Sequence, residues 1–364
     1  MKDVLVVGAG KIGSTIAEML DATGDYRVAI ADRSADQLSR LGTGPGVERV
    51  MLDIADGDAL GRALERRFAV LSAAPYNLTG KVARGALAAG THYLDLTEDV
   101  ATTRLVKQLA TGAASAFIPQ CGLAPGFISI VANNLAGHFD RLDTVKMRVG
   151  ALPQYPSNAL NYNLTWSTDG VINEYCEPCE AIVNGSLREV PPLEELEEFS
   201  LDGVKYEAFN TSGGLGTLCE TLEGKVRNLN YRTIRYPGHC AIVKMLLNDL
   251  RLRDRRDVFK DILENSLPST LQDVVVILVT VSGWQGDRFV QETYANKVYS
   301  RQIGGRVHSA IQITTASGIC TVLDMLAAGQ LAPKGFVRQE DIPFEAFIEN
   351  RFGKAYAPDL RQAA

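Results

Sequence analysis

The sequence predicts an α/β protein: a doubly wound parallel sheet with an inserted α+β domain and C-terminal helices that return to the first domain. Three observations carry this. Short, continuously apolar, β-branched runs alternate with helix-like segments over the first third of the chain. A glycine-spaced turn, "GAGKIG", closes the first of these runs. After "QCGLAPG" (120–126) the alternation stops and period-two patterns replace it.

The predicted strands of the first third are "VLVV" (4–7), "RVAIA" (27–31), "RVMLDI" (49–54), "AVLSAA" (69–74), "THYLDL" (91–96) and "AFIPQC" (116–121). Runs without polar alternation belong to strands covered on both faces, as in a parallel sheet with helices on each side. The intervening segments "GSTIAEMLDATG", "DALGRALERR", "TGKVARGALAAG" and "DVATTRLVKQLATGA" supply those helices. Their crossovers are right-handed by the rule for such units.

Gly8, Gly10 and Gly13, with Lys11 and Ile12 between them, give GxGxxG directly after the first strand. Gly8 permits the tight turn. Gly10 lets backbone amides approach a pyrophosphate, and Gly13 lets the helix pack closely on the sheet. The helix N-terminus offers N–H groups and partial positive charge to the phosphates. Asp32 ends the second strand 19 residues after Gly13. A carboxylate there accepts from adenosine ribose hydroxyls, so the expected cofactor is NAD, with NADP as the alternative because Arg33 follows at once. Ligands of such sheets sit at the carboxyl ends of the strands. Asp53 and Ile54 are therefore expected beside the adenine, Ala74 and Pro75 beside the nicotinamide ribose, and Thr97, Glu98 and Asp99 beside the reacting ring. Thr97 and Asp99 also read as helix N-caps.

In the middle of the chain, "GFISIVANNLAGHF" reads as a helix and "TVKMRVGAL" as a half-buried strand. Further strand-like runs are "ALNYNLTW", "EAIVNGSLREV", "VKYEAFNTS" and "RNLNYRTIRY". "DVVVILVTVSGWQGDRFVQETYANKVY" reads as a hairpin turning at Gly283–Asp287, and the acidic "VPPLEELEEFSLDG" (190–203) as a surface connection. Residues 309–328 form one more helix, with Ile319, Val322, Leu323 and Leu326 on its buried side, and "APDLRQAA" an untethered tail. The expected domains are 1–122 plus 310–364 for dinucleotide binding and 123–309 for substrate binding or dimerisation.

At 364 residues the chain is too long for one small core. Its 46% apolar and 22% charged residues fit a soluble globular protein. A net charge of −6 gives no basic field for nucleic acid or an anionic membrane surface. No uninterrupted apolar run reaches the roughly 18 residues that span a bilayer. The N-terminus enters a strand at once without a signal-peptide pattern, so a cytoplasmic location is expected. Six cysteines in such a chain are expected to be thiols, including the CxxC pair Cys176 and Cys179. A zinc site needs a second pair at matching spacing, and no metal site is expected.

A nicotinamide enzyme also needs a base and charges that grip its substrate. "YRTIRYPGH" carries Arg235, Tyr236 and His239 around a Pro-Gly turn. Arginine forks a carboxylate and histidine is the commonest base near neutral pH, so His239, or a carboxylate from Glu98 or Asp99, is expected to move protons. "NYNLTW" adds Tyr162 and Asn163 as candidate substrate contacts. The competing structural readings are an ion pair for Arg235, a capping or core role for His239, and core packing for Trp166.

With these motifs in order, the sequence resembles the saccharopine dehydrogenase family, which includes glutamate-forming saccharopine reductases and lysine 6-dehydrogenases. The resemblance runs through "YLDLTED", "GLAPG", "WSTDGVINEY", "VNGSLREVPPL", "EAFNTSGGLGTL", "TIRYPGH" and "ITTASGICTVLDML". It implies a Rossmann domain interrupted by an α+β domain, a nicotinamide cofactor, an amino-acid substrate and a homodimer. It places Leu123, Pro125 and Gly126 near the nicotinamide and Arg235 on a carboxylate. It also implies oxidation of the ε C–N bond of saccharopine, with lysine or carboxynorspermidine as alternative substrates. A non-catalytic nucleotide-binding protein is the alternative from another class. The chain departs from the family where Ala124 replaces an aspartate that touches substrate, and where arginines near "NTSGG" and at Gly216 are missing.

Overall fold

The computed structural model describes residues 1–42, 44, 46–303 and 305–357. The chain divides into two compact units: Met1–Ile130 with Gln312–Ala357, and Val131–Ile311. The tail from Pro358 onward lies outside the described residues.

The first unit opens with β1 (Lys2–Val7), α1 (Lys11–Asp21), β2 (Tyr26–Asp32), α2 (Ala35–Ser39), β3 (Glu48–Met51) and α3 (Gly57–Leu64). It continues with β4 (Ala69–Ser72), α4 (Tyr76–Ala89), β5 (His92–Asp95), α5 (Val100–Leu109), β6 (Ala116–Ile118) and the start of α6 (Phe127–Ala136), a helix divided between the units after Ile130. The apolar runs of the sequence thus become parallel strands in the order β3-β2-β1-β4-β5-β6. The order reverses between β1 and β4, and that reversal opens the ligand crevice of a doubly wound sheet. Leu5, Val7, Ala29, Val70, Val82, Tyr93, Val106 and Phe117 form its core. Each such aliphatic side chain contributes roughly 1.5–3 kcal/mol on burial. Ser34, Asp56 and Asp99 cap α2, α3 and α5 with side-chain oxygens.

The second unit holds β7 (Arg141–Pro153), α7 (Thr168–Cys176), β8 (Cys179–Val183), β9 (Ser186–Val190), β10 (Glu197–Leu201), β11 (Val204–Asn210) and α8 (Leu218–Leu222). Then come β12 (Asn228–Arg235), α9 (His239–Lys244), α10 (Arg256–Ser266), β13 (Asp273–Gln285), β14 (Arg288–Tyr299) and the short pair β15 (Arg301–Ile303) and β16 (Arg306–His308). Its main sheet runs β10-β11-β12-β7-β13-β14, with β8 and β9 attached through β12. The sheet is mixed because β12 and β7 are parallel while their other neighbours are antiparallel.

Two local expectations are corrected. The acidic stretch 190–203 is not wholly a connection. Phe199 and Leu201 alternate with Glu198 and Ser200, and that period of two makes β10 a strand whose apolar side joins Tyr206, Ile234 and Val276. The β13–β14 turn is tighter than Gly283–Asp287: Gln285 still pairs with Arg288, and Gly283 marks a register shift within β13.

The chain returns to the first unit through α11 (Ala310–Ala327), followed by β17 (Gly335–Phe336) beside β6 and by α12 (Phe344–Glu349). By length and composition α11 is long and apolar enough to cross a membrane, yet 83% of it is buried in the fold. Ile319, Val322 and Leu323 are fully buried and Leu326 nearly so. The Tyr356 hydroxyl donates to the Thr314 carbonyl at 2.7 Å, and its ring stacks on Phe127 at 3.9 Å.

Candidate active site

In the first unit the structure gathers the expected cofactor residues along the carboxyl edge of the sheet. Gly8 follows β1 at φ +102°, and a Cβ there would lie 2.7 Å from the Ala73 carbonyl oxygen. A Cβ on Gly13 would meet the Gly8 carbonyl oxygen at 1.8 Å, whereas one on Gly10 would meet nothing within 4 Å. Gly8 and Gly13 thus serve the turn and the packing, and Gly10 leaves space above the amides of Lys11 and Ile12. The N-terminus of α1 has no side-chain cap and no acidic residue in its first turn. An uncapped helix end facing open space suits a pyrophosphate.

Asp32 ends β2, with Oδ2 accepting from the Ala9 amide and Oδ1 from the Ser34 amide, each at 2.8 Å. These bonds orient the carboxylate at the crevice rim, with Arg33 beside it. Asp53 and Ile54 follow β3, and the Asp53 carboxylate accepts from the Ala55 amide at 2.9 Å. Ala74 and Pro75 follow β4, Pro75 standing at the N-cap of α4. Leu123, Pro125 and Gly126 form the β6–α6 turn, with a backbone bridge between Gly122 and Gly126.

At the end of β5, Asp95 is fully buried. It accepts from the Tyr93 hydroxyl at 2.6 Å, the Thr97 amide at 3.0 Å and the Gln120 amide at 2.8 Å, tying the loops after β5 and β6 together. Burial lifts the Asp95 carboxyl to about 6. The same effect, aided by the charges of Asp99 and Asp95, lifts the half-buried Glu98 to about 7. Glu98 therefore exchanges a proton near neutral pH. Asp99 has a different job: its Oδ2 accepts from the amide and hydroxyl of Thr102, both at 2.7 Å. It is the N-cap of α5, the alternative that the sequence had left open. The Thr97 hydroxyl accepts from the Asp99 amide at 3.2 Å.

In the second unit the charged cluster centres on Arg235, the last residue of β12, which is 3% exposed. Its Nε donates to the Tyr175 hydroxyl at 2.9 Å, and its Nη1 to the Thr233 hydroxyl at 2.7 Å and the Ile234 carbonyl at 2.8 Å. Among the described residues, Nη2 has no hydrogen bond. The guanidinium lies 5.1 Å from the centre of the Tyr162 ring. Burial opposes its charge, but Tyr175, Tyr162 and Glu174 outweigh burial and hold its pKa above the ordinary arginine value.

His239 is re-read here. Its Nδ1 lies 2.8 Å from the Leu160 carbonyl, which can only accept, so Nδ1 carries the proton. Nε2, 3.0 Å from the Tyr175 hydroxyl, is then the acceptor. A directed chain runs from Arg235 Nε to Tyr175 Oη to His239 Nε2. Burial and the Arg235 charge press the imidazole down to about 3. A group so depressed stays neutral near pH 7 and positions Tyr175 instead of shuttling protons.

Tyr236 is also corrected. Successive strand residues face opposite sides of a sheet. Tyr236 packs with Tyr206, Ile234 and Val276, away from Arg235, and its hydroxyl donates to the Pro153 carbonyl at 2.9 Å. Asn163 is buried, and its Oδ1 accepts from Asn158 Nδ2 at 3.2 Å. The Pro-Gly turn is held by Glu207, whose carboxylate accepts from the amides of Gly238 at 2.8 Å and Cys240 at 2.6 Å. That helix end is thereby filled from within the protein. Cys176 and Cys179 are buried free thiols, and burial pushes Cys179 up to about 12.

Sequence reasoning missed Tyr175 and Glu174. Tyr175 lies 60 residues from Arg235 and 64 from His239 along the chain. Its only signal was its place in "WSTDGVINEY".

A doubly wound domain with an open glycine turn, joined to a second domain that buries an arginine, defines an NAD(P)-dependent oxidoreductase. Residues 4–116 match the family description "Saccharopine dehydrogenase NADP binding domain" and residues 122–353 match "Saccharopine dehydrogenase C-terminal domain". The chain belongs to the saccharopine dehydrogenase family. It is similar to mitochondrial alpha-aminoadipic semialdehyde synthase of Mus musculus, with 22% identity over 77% of this chain and 31% of that protein. It is similar to saccharopine dehydrogenase [NADP(+), L-glutamate-forming] of Saccharomyces cerevisiae, with 25% identity over 47% of this chain and 40% of that protein. The chain thus spans less than half the length of these relatives. Apo saccharopine dehydrogenase (L-Glu forming) from Saccharomyces cerevisiae has the same fold, with a TM-score of 0.80, 17% identity and coverage of 97% of this chain and 98% of that one. Homospermidine synthase from Legionella pneumophila, solved with NAD, shares the fold at a TM-score of 0.64 and 13% identity, covering 98% and 90% of the two chains.

Proposed function

We propose that this protein oxidises the ε C–N bond of a lysine derivative, with saccharopine as the first-choice substrate. A bound nicotinamide supplies the two-electron oxidant for that bond. Taken with water, saccharopine then gives 2-aminoadipate semialdehyde and glutamate, releasing two electrons and the accompanying protons. The observation that carries the reading is Arg235. A buried guanidinium, fixed by Tyr175 and Thr233 with Nη2 left over, is built to hold a carboxylate. Within the first unit, Glu98, lifted to about 7, is a carboxyl that can accept a proton near neutral pH. His239 keeps Tyr175 turned toward Arg235.

A second reading is lysine 6-dehydrogenase, which releases ammonia. It is favoured by Ala124, where family members that act on saccharopine carry an acid. The test follows NAD(P)H absorbance with L-saccharopine, L-lysine and carboxynorspermidine, using NAD and NADP in turn. Turnover on saccharopine with stoichiometric glutamate supports the first reading. Turnover on lysine with ammonia, and none on saccharopine, replaces it with the second. Cofactor binding without turnover on any of the three overturns both.

A further inference from the structure

The dinucleotide helix α1 is braced from behind by Gln312, a residue 301 positions from Lys11 in the chain. Gln312 stands near the start of α11 and is 8% exposed. Its place is set locally: the buried Asp273 accepts from the Ala310 and Ile311 amides and so fixes where α11 begins. Gln312 Nε2 donates to the Lys11 carbonyl at 3.3 Å and to the Thr15 hydroxyl at 3.2 Å. The Thr15 hydroxyl donates in turn to the same carbonyl at 2.9 Å, and the Ser14 hydroxyl reaches it at 3.0 Å. The directions are fixed, because a carbonyl only accepts and an amide nitrogen only donates. Serine and threonine commonly bond back along their own helix. A side-chain amide arriving from another helix is a different matter, and it makes three side-chain donors converge on one backbone oxygen.

The Lys11 carbonyl and the Ile12 N–H belong to one planar peptide group and point opposite ways. The carbonyl points along α1, into the three donors. The N–H points out of the helix N-terminus, where it lacks an intrahelical partner and lies by the space that Gly10 leaves open. Donors on the oxygen draw electron density from the nitrogen, and hydrogen bonds in a chain polarise one another. We propose that Gln312 is a positioning residue for the diphosphate of the nicotinamide cofactor: acting through Thr15 and the Lys11 carbonyl, it holds the first turn of α1 in place and strengthens the Ile12 N–H as a donor to the anion. The Ser14 bond lies at the surface, whereas Gln312 and Thr15 are both buried, so that pair is the fixed part of the device. The inference concerns cofactor binding alone and stands or falls independently of which amine is oxidised.

The test compares ligands of one site that differ in the diphosphate, using the full chain: NADH and ADP by isothermal titration, and adenosine by ligand-observed NMR. Gln312→Met keeps the length of the side chain and removes both donors. It should weaken NADH and ADP by roughly 3- to 5-fold, the effect of a change of about 10–30% in each charge-assisted bond, and leave adenosine unchanged. Thr15→Val removes the relaying hydroxyl and should give the same pattern, with Thr15→Ser restoring the parent affinities. The double variant Gln312→Met with Thr15→Val should lose about as much as the larger single loss, because the two side chains act as one unit. A general loss of folded protein would weaken all three ligands alike, so the comparison separates positioning from stability. Unchanged NADH and ADP affinities in Gln312→Met, an equal loss for adenosine, or losses that multiply in the double variant overturns the proposal.

Discussion

Replacing Glu98 by glutamine should stabilise the protein at pH 8 and change little at pH 5. The carboxyl of Glu98 rises from its ordinary 4.5 to about 7, through burial first and then the charges of Asp99 and Asp95. Asp95 itself faces Tyr93, Cys121 and the amides of Thr97 and Gln120, none of which offsets the negative charge on Glu98. A raised acid means that the folded state holds the proton more tightly than the unfolded chain. Below the ordinary value both states are protonated and no penalty exists. Between the two values the unfolded chain ionises first, so stability falls as pH rises, and above about 7 the full penalty persists. A shift of this size is worth about 3 kcal/mol at 1.36 kcal/mol per unit. Partial exposure of the side chain screens it, so about 2 kcal/mol is expected. Urea unfolding of both proteins at pH 5, 6, 7 and 8 reads this difference directly. The same replacement should abolish a rising limb near pH 7 in kcat/KM. A variant that is equally stable or less stable than the parent at pH 8 refutes the assignment of a raised, uncompensated carboxyl.

Four further outcomes follow from the geometry. Gly13→Ala places a Cβ 1.8 Å from the Gly8 carbonyl oxygen and should cost about 3 kcal/mol of stability in thermal unfolding. Gly10→Ala meets nothing within 4 Å, so it should leave the melting temperature unchanged while weakening NADH in a fluorescence titration by about 10-fold or more. Asp32→Ala removes the carboxylate expected to accept from the ribose and should raise the NADPH-to-NADH affinity ratio by about 10-fold, and an unchanged ratio would remove Asp32 from cofactor choice. Arg235→Lys cannot span Tyr175, Thr233 and the Ile234 carbonyl together. It should raise KM more than it lowers kcat, because a carboxylate clamp acts in the ground and transition states alike.

The sequence by itself determined the first sheet and its crevice. Apolar runs buried on both faces, a glycine turn and an acid at the end of the second strand are local signals, each read within a few residues of its structural consequence. That is why Gly8, Gly10, Gly13, Asp32 and Pro75 stand where their spacing placed them. It also singled out Arg235, as an arginine in the charged cluster around a Pro-Gly turn. Tertiary structure alone decided what surrounds it. Tyr175 joins Arg235 to His239 across 60 and 64 residues of chain, and only that packing shows the imidazole to be neutral and Tyr236 to be on the other face. The proton affinity of Glu98 was likewise invisible in sequence. It depends first on the burial of Glu98 itself and then on how close Asp99 and Asp95 are held, and these are properties of packing density and distance, not of residue order.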